Sequence, residues 1–192
     1  MVGNMAKIDE RADNNDLVVR AKTDSDALGR LYDLYYERIY RFCLYRLFVT
    51  EAAEDVTSMV FLTVARKINS FEGMTEKDFC NWVYAIAVNH ANSYIRKTAR
   101  RKKLFEKVHE SIVDKTNCSD DSDWPKLYQA ISKLKPKYQT VVTLRFFENM
   151  DFEQIGKITN ARPGTVRVTL HRILEKLKVH LTVAQKGANE NV

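Results

Sequence analysis

Between Arg162 and Arg172 the chain sets Arg162, Thr165, Arg167, Thr169, His171 and Arg172 close together, with no acidic residue among them. Guanidinium forks can bond a guanine edge or a phosphate, and hydroxyl and imidazole groups can serve bases or backbone. The chemistry on offer is recognition of a nucleic acid rather than bond breaking. Val166, Leu170, Ile173, Leu174 and Leu177 recur through the same stretch at helical spacing. One helix therefore carries both an apolar stripe and the polar set, and Pro163 suits its first position. Ahead of it, Asp151 can accept at an N-cap while Gln154, three residues on, reaches back. Phe152, Ile155 and Ile158 give that shorter helix its apolar face, and Thr159–Arg162 reads as a turn. Short helix, tight turn and longer helix form the helix-turn-helix layout, whose second helix offers its N-terminal residues to the major groove. A plain helical hairpin with a solvated basic face is the competing reading.

A second set lies earlier. Six of the eight residues from Arg96 to Lys103 are Lys or Arg, Arg100 and Lys102 among them. They follow a helical pattern bearing Trp82, Tyr84, Asn89, His90, Asn92 and Tyr94. Aromatic rings beside cations suit unstacked nucleic acid, because bases stack on rings while phosphates meet the charges. Cations also favour a helix C-terminus without any ligand. Phe79 and Ile86 read as core; Trp82 stands open between core and stacking surface. Glu54 and Asp55 form a carboxylate pair, yet acid–base work needs partners converging in a pocket. No His, Ser or Cys constellation, Walker loop, HExxH or metal-ligand cluster accompanies them. A polar face for a protein partner is the better reading, and neither an enzyme nor a bound cofactor or metal is expected.

The elements that hold these sets must be helical. Six glycines and three prolines in 192 residues argue against a many-turned β fold. Cys43, Cys80 and Cys118 are odd in number and far apart, so they suggest buried free thiols in a reducing cytoplasm. No apolar run approaches the ~20 residues of a membrane span, and residues 1–16 lack the apolar core of a signal peptide. Residues 1–105 carry 17 basic and 14 acidic groups, 106–124 carry 2 and 6, and 125–184 carry 11 and 4. Two basic blocks thus flank an acidic segment rich in Ser, Asp and Asn, which reads as a flexible linker. The expected fold is all-α: a domain over 17–105, a linker over 106–124 and a four-helix domain over 125–184. In the first, stripes over Leu28–Cys43 and Ala53–Ile68 make two helices. Asn69–Asp78 is a loop, and a third helix runs from Phe79. In the second, Leu127–Leu134, Tyr138–Phe146 and the helix-turn-helix follow in order. Residues 1–16 and 185–192 are expected to be disordered and receive no role.

Taken together these stretches resemble the bacterial RNA polymerase sigma factors of the ECF (extracytoplasmic function) branch. The likeness rests on EAAEDVTSMVFLTVARKINSF, on FCNWVYAIAVNHANSYIRKTARRKK, and on AISKLKPKYQTVVTLRFFENMDFEQIGKITNARPGTVRVTLHRILEKL. It covers nearly all of residues 20–180. Ser58-Met59, Tyr94, Pro163 and Val168-Thr169 depart from the family pattern. The resemblance implies a cytoplasmic factor that binds core RNA polymerase and directs it to promoter DNA, both duplex and melted non-template strand. Glu54, Asp55 and Phe61 match the polymerase-docking helix, with Phe61 acting through packing. Asn69, Ser70, Phe71 and Lys77 match the loop that captures a flipped minus-10 base. Trp82, Asn89, Arg96, Arg100 and Lys102 match the adjoining helix. Arg162, Thr165, Arg167, Thr169, His171 and Arg172 match the minus-35 recognition helix. An anti-sigma protein is a further candidate partner, since many members are controlled that way. A stand-alone helix-turn-helix regulator would explain the second domain but leave the first without a task, and a nucleic-acid enzyme would lack a reactive constellation.

Overall fold

The structure, a computed structural model, describes residues 14–106 and 124–189. Among the described residues every regular element is helical. A short helix over 14–20 (α1) leads to α2 (Ser25–Leu47), α3 (Thr50–Lys67), a 3-10 turn (Ile68–Ser70) and α4 (Glu76–Glu106). The second half holds α5 (Trp124–Ser132), α6 (Pro136–Val142), a π-turn (Thr143–Phe147), α7 (Phe152–Thr159) and α8 (Pro163–Asn189). Of the linker expected over 106–124, Glu106 ends α4 and Trp124 opens α5, and the rest, Cys118 included, lies outside the described residues.

Local chemistry sets the boundaries. The Asp24 carboxylate caps α2 by accepting from the Asp26 N–H at 2.9 Å, which satisfies one of the donors a helix start leaves free. The helix stops where Phe48 enters the left-handed region at φ 60° and its N–H returns to the Leu44 carbonyl. The stripe Leu31, Tyr35, Ile39 and Phe42 is buried as its spacing predicts, in one core with Val56, Val60 and Val64 of α3 and Phe79, Val83 and Ala87 of α4. Full burial of each large side chain contributes about 1.5–3 kcal/mol. Cys43 and Cys80 are buried free thiols, and burial pushes Cys43 up to about 11.

Three expectations are corrected. The third helix begins at Glu76, not Phe79, because Thr75 and Asp78 cap each other: the Thr75 hydroxyl donates to Asp78 Oδ2 at 2.6 Å, and the Asp78 N–H donates to Thr75 Oγ1 at 3.1 Å. Asn14 and Asn15 are ordered in α1, where Asn15 Oδ1 accepts from the Glu76 N–H at 2.7 Å and Asn14 donates to Glu76 Oε2 at 3.2 Å. A free donor at the start of α4 is thus met from the N-terminal end of the described chain. The helix expected over Tyr138–Phe146 is broken by the π-turn, and α8 continues through residues 185–189.

Candidate nucleic-acid and polymerase interfaces

The helix-turn-helix is built as its sequence predicts. Asp151 Oδ1 accepts from the Gln154 N–H at 2.7 Å, and Gln154 Oε1 accepts from the Asp151 N–H at 3.2 Å. Asn160 turns the chain at φ 52°, and the Ala161 N–H closes onto the Gly156 carbonyl at 2.8 Å. That return passes so near that a Cβ at Gly156 would lie 2.6 Å from the Ala161 oxygen. Pro163 then opens α8. Val166, Leu170, Ile173 and Leu177 are buried, but Leu174, expected in the same stripe, is exposed; Arg162, Thr165, Arg167, Val168, His171 and Arg172 are exposed and Thr169 is half-buried. The Arg167 guanidinium lies 5.3 Å from the Phe152 ring centroid, and Arg145 lies 5.0 Å from the same centroid. His171 Nδ1 stands 3.8 Å from Glu175. Among the described residues no ion pair engages Arg162 or Arg172.

The α3–α4 loop presents the second set. Asn69 and Ser70 are exposed on the 3-10 turn, and the Ser70 hydroxyl donates to the Lys67 carbonyl at 2.9 Å. Phe71 stacks on Trp82, centroids 4.6 Å apart and planes 25° apart, with Lys22 Nζ 5.6 Å from the Phe71 ring. Trp82 is therefore half-buried: the core takes Phe79 and Ile86 fully, whereas Trp82 leans on the loop. Asn89, Arg96 and Arg100 are exposed along α4. The side chain of Lys102 lies outside the described residues. Lys77 Nζ stands 3.7 Å from Asp151 Oδ2, a pairing across the two halves that its position gives no sign of. His90 Nε2 meets Thr63 Oγ1 at 2.9 Å, and burial, then the charges of Lys67 and Lys97, hold its pKa below the ordinary value.

On α3, Glu54 and Asp55 are exposed and Phe61 is buried, its ring 4.7 Å from Tyr32 and 6.1 Å from Tyr36. An open groove of about 280 Å³ runs beside Phe61, lined by Leu28, Tyr32, Val64 and Phe79. Sequence reasoning missed this apolar surface, because Leu28 and Tyr32 lie on the α2 stripe and so read as core.

It also missed how the halves meet. Arg46 is only 2% exposed and donates to Gln139 Oε1, to Pro136 O at 2.9 Å, to Thr140 Oγ1 at 3.3 Å and to Asn92 Oδ1 at 2.9 Å. Burial pushes its pKa down to about 10. The Tyr84 hydroxyl donates to Glu148, and Tyr45 lies 4.3 Å from Phe147. Among the described residues no His, Cys, Asp or Glu cluster could hold a metal ion, and no helix is long and apolar enough to cross a membrane.

Among the described residues, an all-helical fold with an exposed polar helix in one half and an aromatic–basic helix in the other fits a DNA-reading transcription factor. Comparison with known proteins makes that narrower. Residues 31–101 match the family described as Sigma-70 region 2, and residues 125–177 match Sigma-70, region 4. The chain is 30% identical to the ECF RNA polymerase sigma factor SigW of Bacillus subtilis (strain 168), over 83% of its own length and 91% of the relative's. The fold is similar to that of CnrH in its complex with the cytosolic domain of CnrY, at TM-score 0.68 and 16% identity over 88% of this chain and 97% of that one. It is also similar to the sigma factor RpoE of Bartonella quintana in complex with the anti-sigma factor NepR, at TM-score 0.64 and 20% identity over 81% and 96%. The chain belongs to the ECF RNA polymerase sigma factors, which bind core polymerase and direct promoter-specific transcription initiation.

Proposed function

We propose that the two halves divide the promoter between them. Residues 125–184 form the domain that reads the minus-35 duplex through Arg162, Thr165, Arg167, Thr169, His171 and Arg172. Residues 17–105 form the domain that docks on core polymerase through Glu54 and Asp55, with Phe61 as packing beneath. It also captures the melted minus-10 strand at Asn69, Ser70, Phe71 and Lys77, with Trp82, Asn89, Arg96, Arg100 and Lys102 alongside. Residues 106–124 join them as a linker, so that binding by one domain raises the effective concentration of the other. The observation that carries this reading is α8, whose polar set is exposed save for half-buried Thr169, while Val166, Leu170, Ile173 and Leu177 are buried. The polymerase performs the chemistry, so this chain has no catalytic role of its own and needs no cofactor or metal. It acts in the cytoplasm, and an anti-sigma protein is a further partner, as NepR is for RpoE.

Co-purification with bacterial core RNA polymerase, followed by run-off transcription on genomic fragments, tests the reading. Stable association and start sites that depend on the chain are the expected result. Specific duplex binding without any association with polymerase would overturn it.

A further inference from the structure

Val168 is an apolar side chain in an odd place. It is 52% exposed, although Val166 and Leu170, two residues to either side, are buried. At ~100° per residue, it stands almost diametrically opposite the stripe formed by Val166, Leu170, Ile173 and Leu177. Its neighbours on that outer face are Thr165, one turn before it, and His171 and Arg172, one turn after it, all exposed. The pole of α8 farthest from the core is therefore an apolar isopropyl group flanked by a hydroxyl, an imidazole and a guanidinium. A solvated helix face would gain nothing from valine, a weak helix former, at that pole. In the major groove the one apolar feature of a base pair is the thymine 5-methyl group.

We propose that Val168 is a specificity-determining residue that reads a thymine methyl group in the minus-35 duplex. The inference rests on the minus-35 reading above and gives it a chemical target. Valine has no donor or acceptor, so at the contacted position it leaves a cytosine amino group or an adenine amino group unpaired and disfavours both. Thr165 and Arg172 bond the adjoining base edges or phosphates, which fixes the register in which Val168 meets its base.

The experiment uses the full chain assembled with core RNA polymerase. Promoter duplexes are first selected from a library randomised over the upstream element. The selected duplex is then resynthesised with deoxyuridine in place of each thymidine in turn, which deletes one methyl group and leaves every hydrogen bond intact. With the wild-type chain, one upstream position should lose affinity about fourfold, the size of one buried methyl group. Val168→Ala should lower affinity for the thymidine duplex and show less than about twofold response to deoxyuridine at that position. Because Val168 is half exposed and outside the core, the variant keeps its fold. Uniform indifference of the wild type to deoxyuridine overturns the proposal while leaving minus-35 reading intact, as does an unchanged response in Val168→Ala. A selection that returns no upstream consensus overturns the minus-35 reading itself, and this inference with it.

Discussion

Asp151 serves two structures at once. Its carboxylate accepts the Gln154 N–H that starts the helix-turn-helix, and the other oxygen faces Lys77 of the first half. The Gln154 bond holds its pKa below the ordinary carboxylate range, helped by the charge of Lys77. Asp151→Ala should cost about 1 kcal/mol of stability in the second half. Asp151→Asn should retain most of that, because it keeps the capping oxygen and loses only an exposed ion pair. Urea unfolding of the two variants separates the contributions. His90 offers a test through pH. The Thr63 hydroxyl donates to the Met59 carbonyl, so His90 Nε2 must be the donor to Thr63 Oγ1, and the neutral ring already supplies that proton. Burial, with Lys67 and Lys97 nearby, favours the neutral form in the folded state, so unfolding takes up a proton below the ordinary value of 6.5. Stability is full above that value and falls as pH drops through it. The urea midpoint should hold above the ordinary value of 6.5 and decline as pH falls below it, and His90→Gln should flatten that decline.

The α3–α4 loop depends on one glycine. A Cβ at Gly73 would overlap the Phe71 ring and lie 2.7 Å from Asp78 Cβ, so the loop folds back only because that atom is absent. In Gly73→Ala the ring must leave Trp82, and the surface proposed to hold a flipped base comes apart. Stacking of a base on an aromatic side chain is worth about 1–3 kcal/mol. Promoter opening, followed by permanganate reactivity of unpaired thymines, should therefore fall roughly tenfold while polymerase assembly and minus-35 binding persist. The same loop marks the limit of what the sequence can disclose. The α7–turn–α8 unit was legible because Asp151, Gln154 and Pro163 each act within a few residues of themselves. At the start of α4 the Thr75–Asp78 pair gave an equally local signal that was passed over, and only the donor met by Asn15 from 61 positions away lay beyond any local reading. The π-turn was not legible, because Tyr138, Val141, Val142 and Arg145 keep helical spacing whether or not an extra residue is wound in. Helical spacing told the exposed polar face of α8 from most of its buried stripe. The Phe71–Trp82 stack lay hidden, because spacing along one helix cannot show what a loop brings back over it.

At the scale of the whole molecule, the two halves touch where the proposed function needs them apart. Elements centred about 10 and 35 base pairs upstream of a start site lie roughly 85 Å apart along B-form DNA, at ~3.4 Å per step. Arg46 cannot bond Gln139, Thr140 and Pro136 while the two domains occupy both elements. The closed arrangement must therefore open on the promoter. The contact that opens combines the hydrogen bonds of Arg46 and Tyr84, the Lys77–Asp151 pair and the Tyr45–Phe147 ring contact. Asn81 lies on α4 one turn from Lys77 and from Tyr84, whose side chains both reach the second half, and is 7% exposed with neither amide atom hydrogen-bonded. An unsatisfied buried amide costs about 1–3 kcal/mol. Two substitutions should then move the molecule in opposite directions. Asn81→Leu removes the unpaired amide and should hold the halves together. Arg46→Ala strips the donors from Gln139, Thr140 and Pro136 and should let them separate. Tyr84→Phe, which loses only the hydroxyl bonded to Glu148, should act in the same sense as Arg46→Ala with less disturbance of the core. Small-angle scattering should show a longer maximum dimension for Arg46→Ala and Tyr84→Phe than for the wild type, and none for Asn81→Leu. Where the closed form dominates, apparent affinity scales with the open fraction, so core polymerase should bind the first two severalfold more tightly and Asn81→Leu more weakly. Identical scattering and identical affinity across all three would show that the contact between the halves plays no part in promoter engagement.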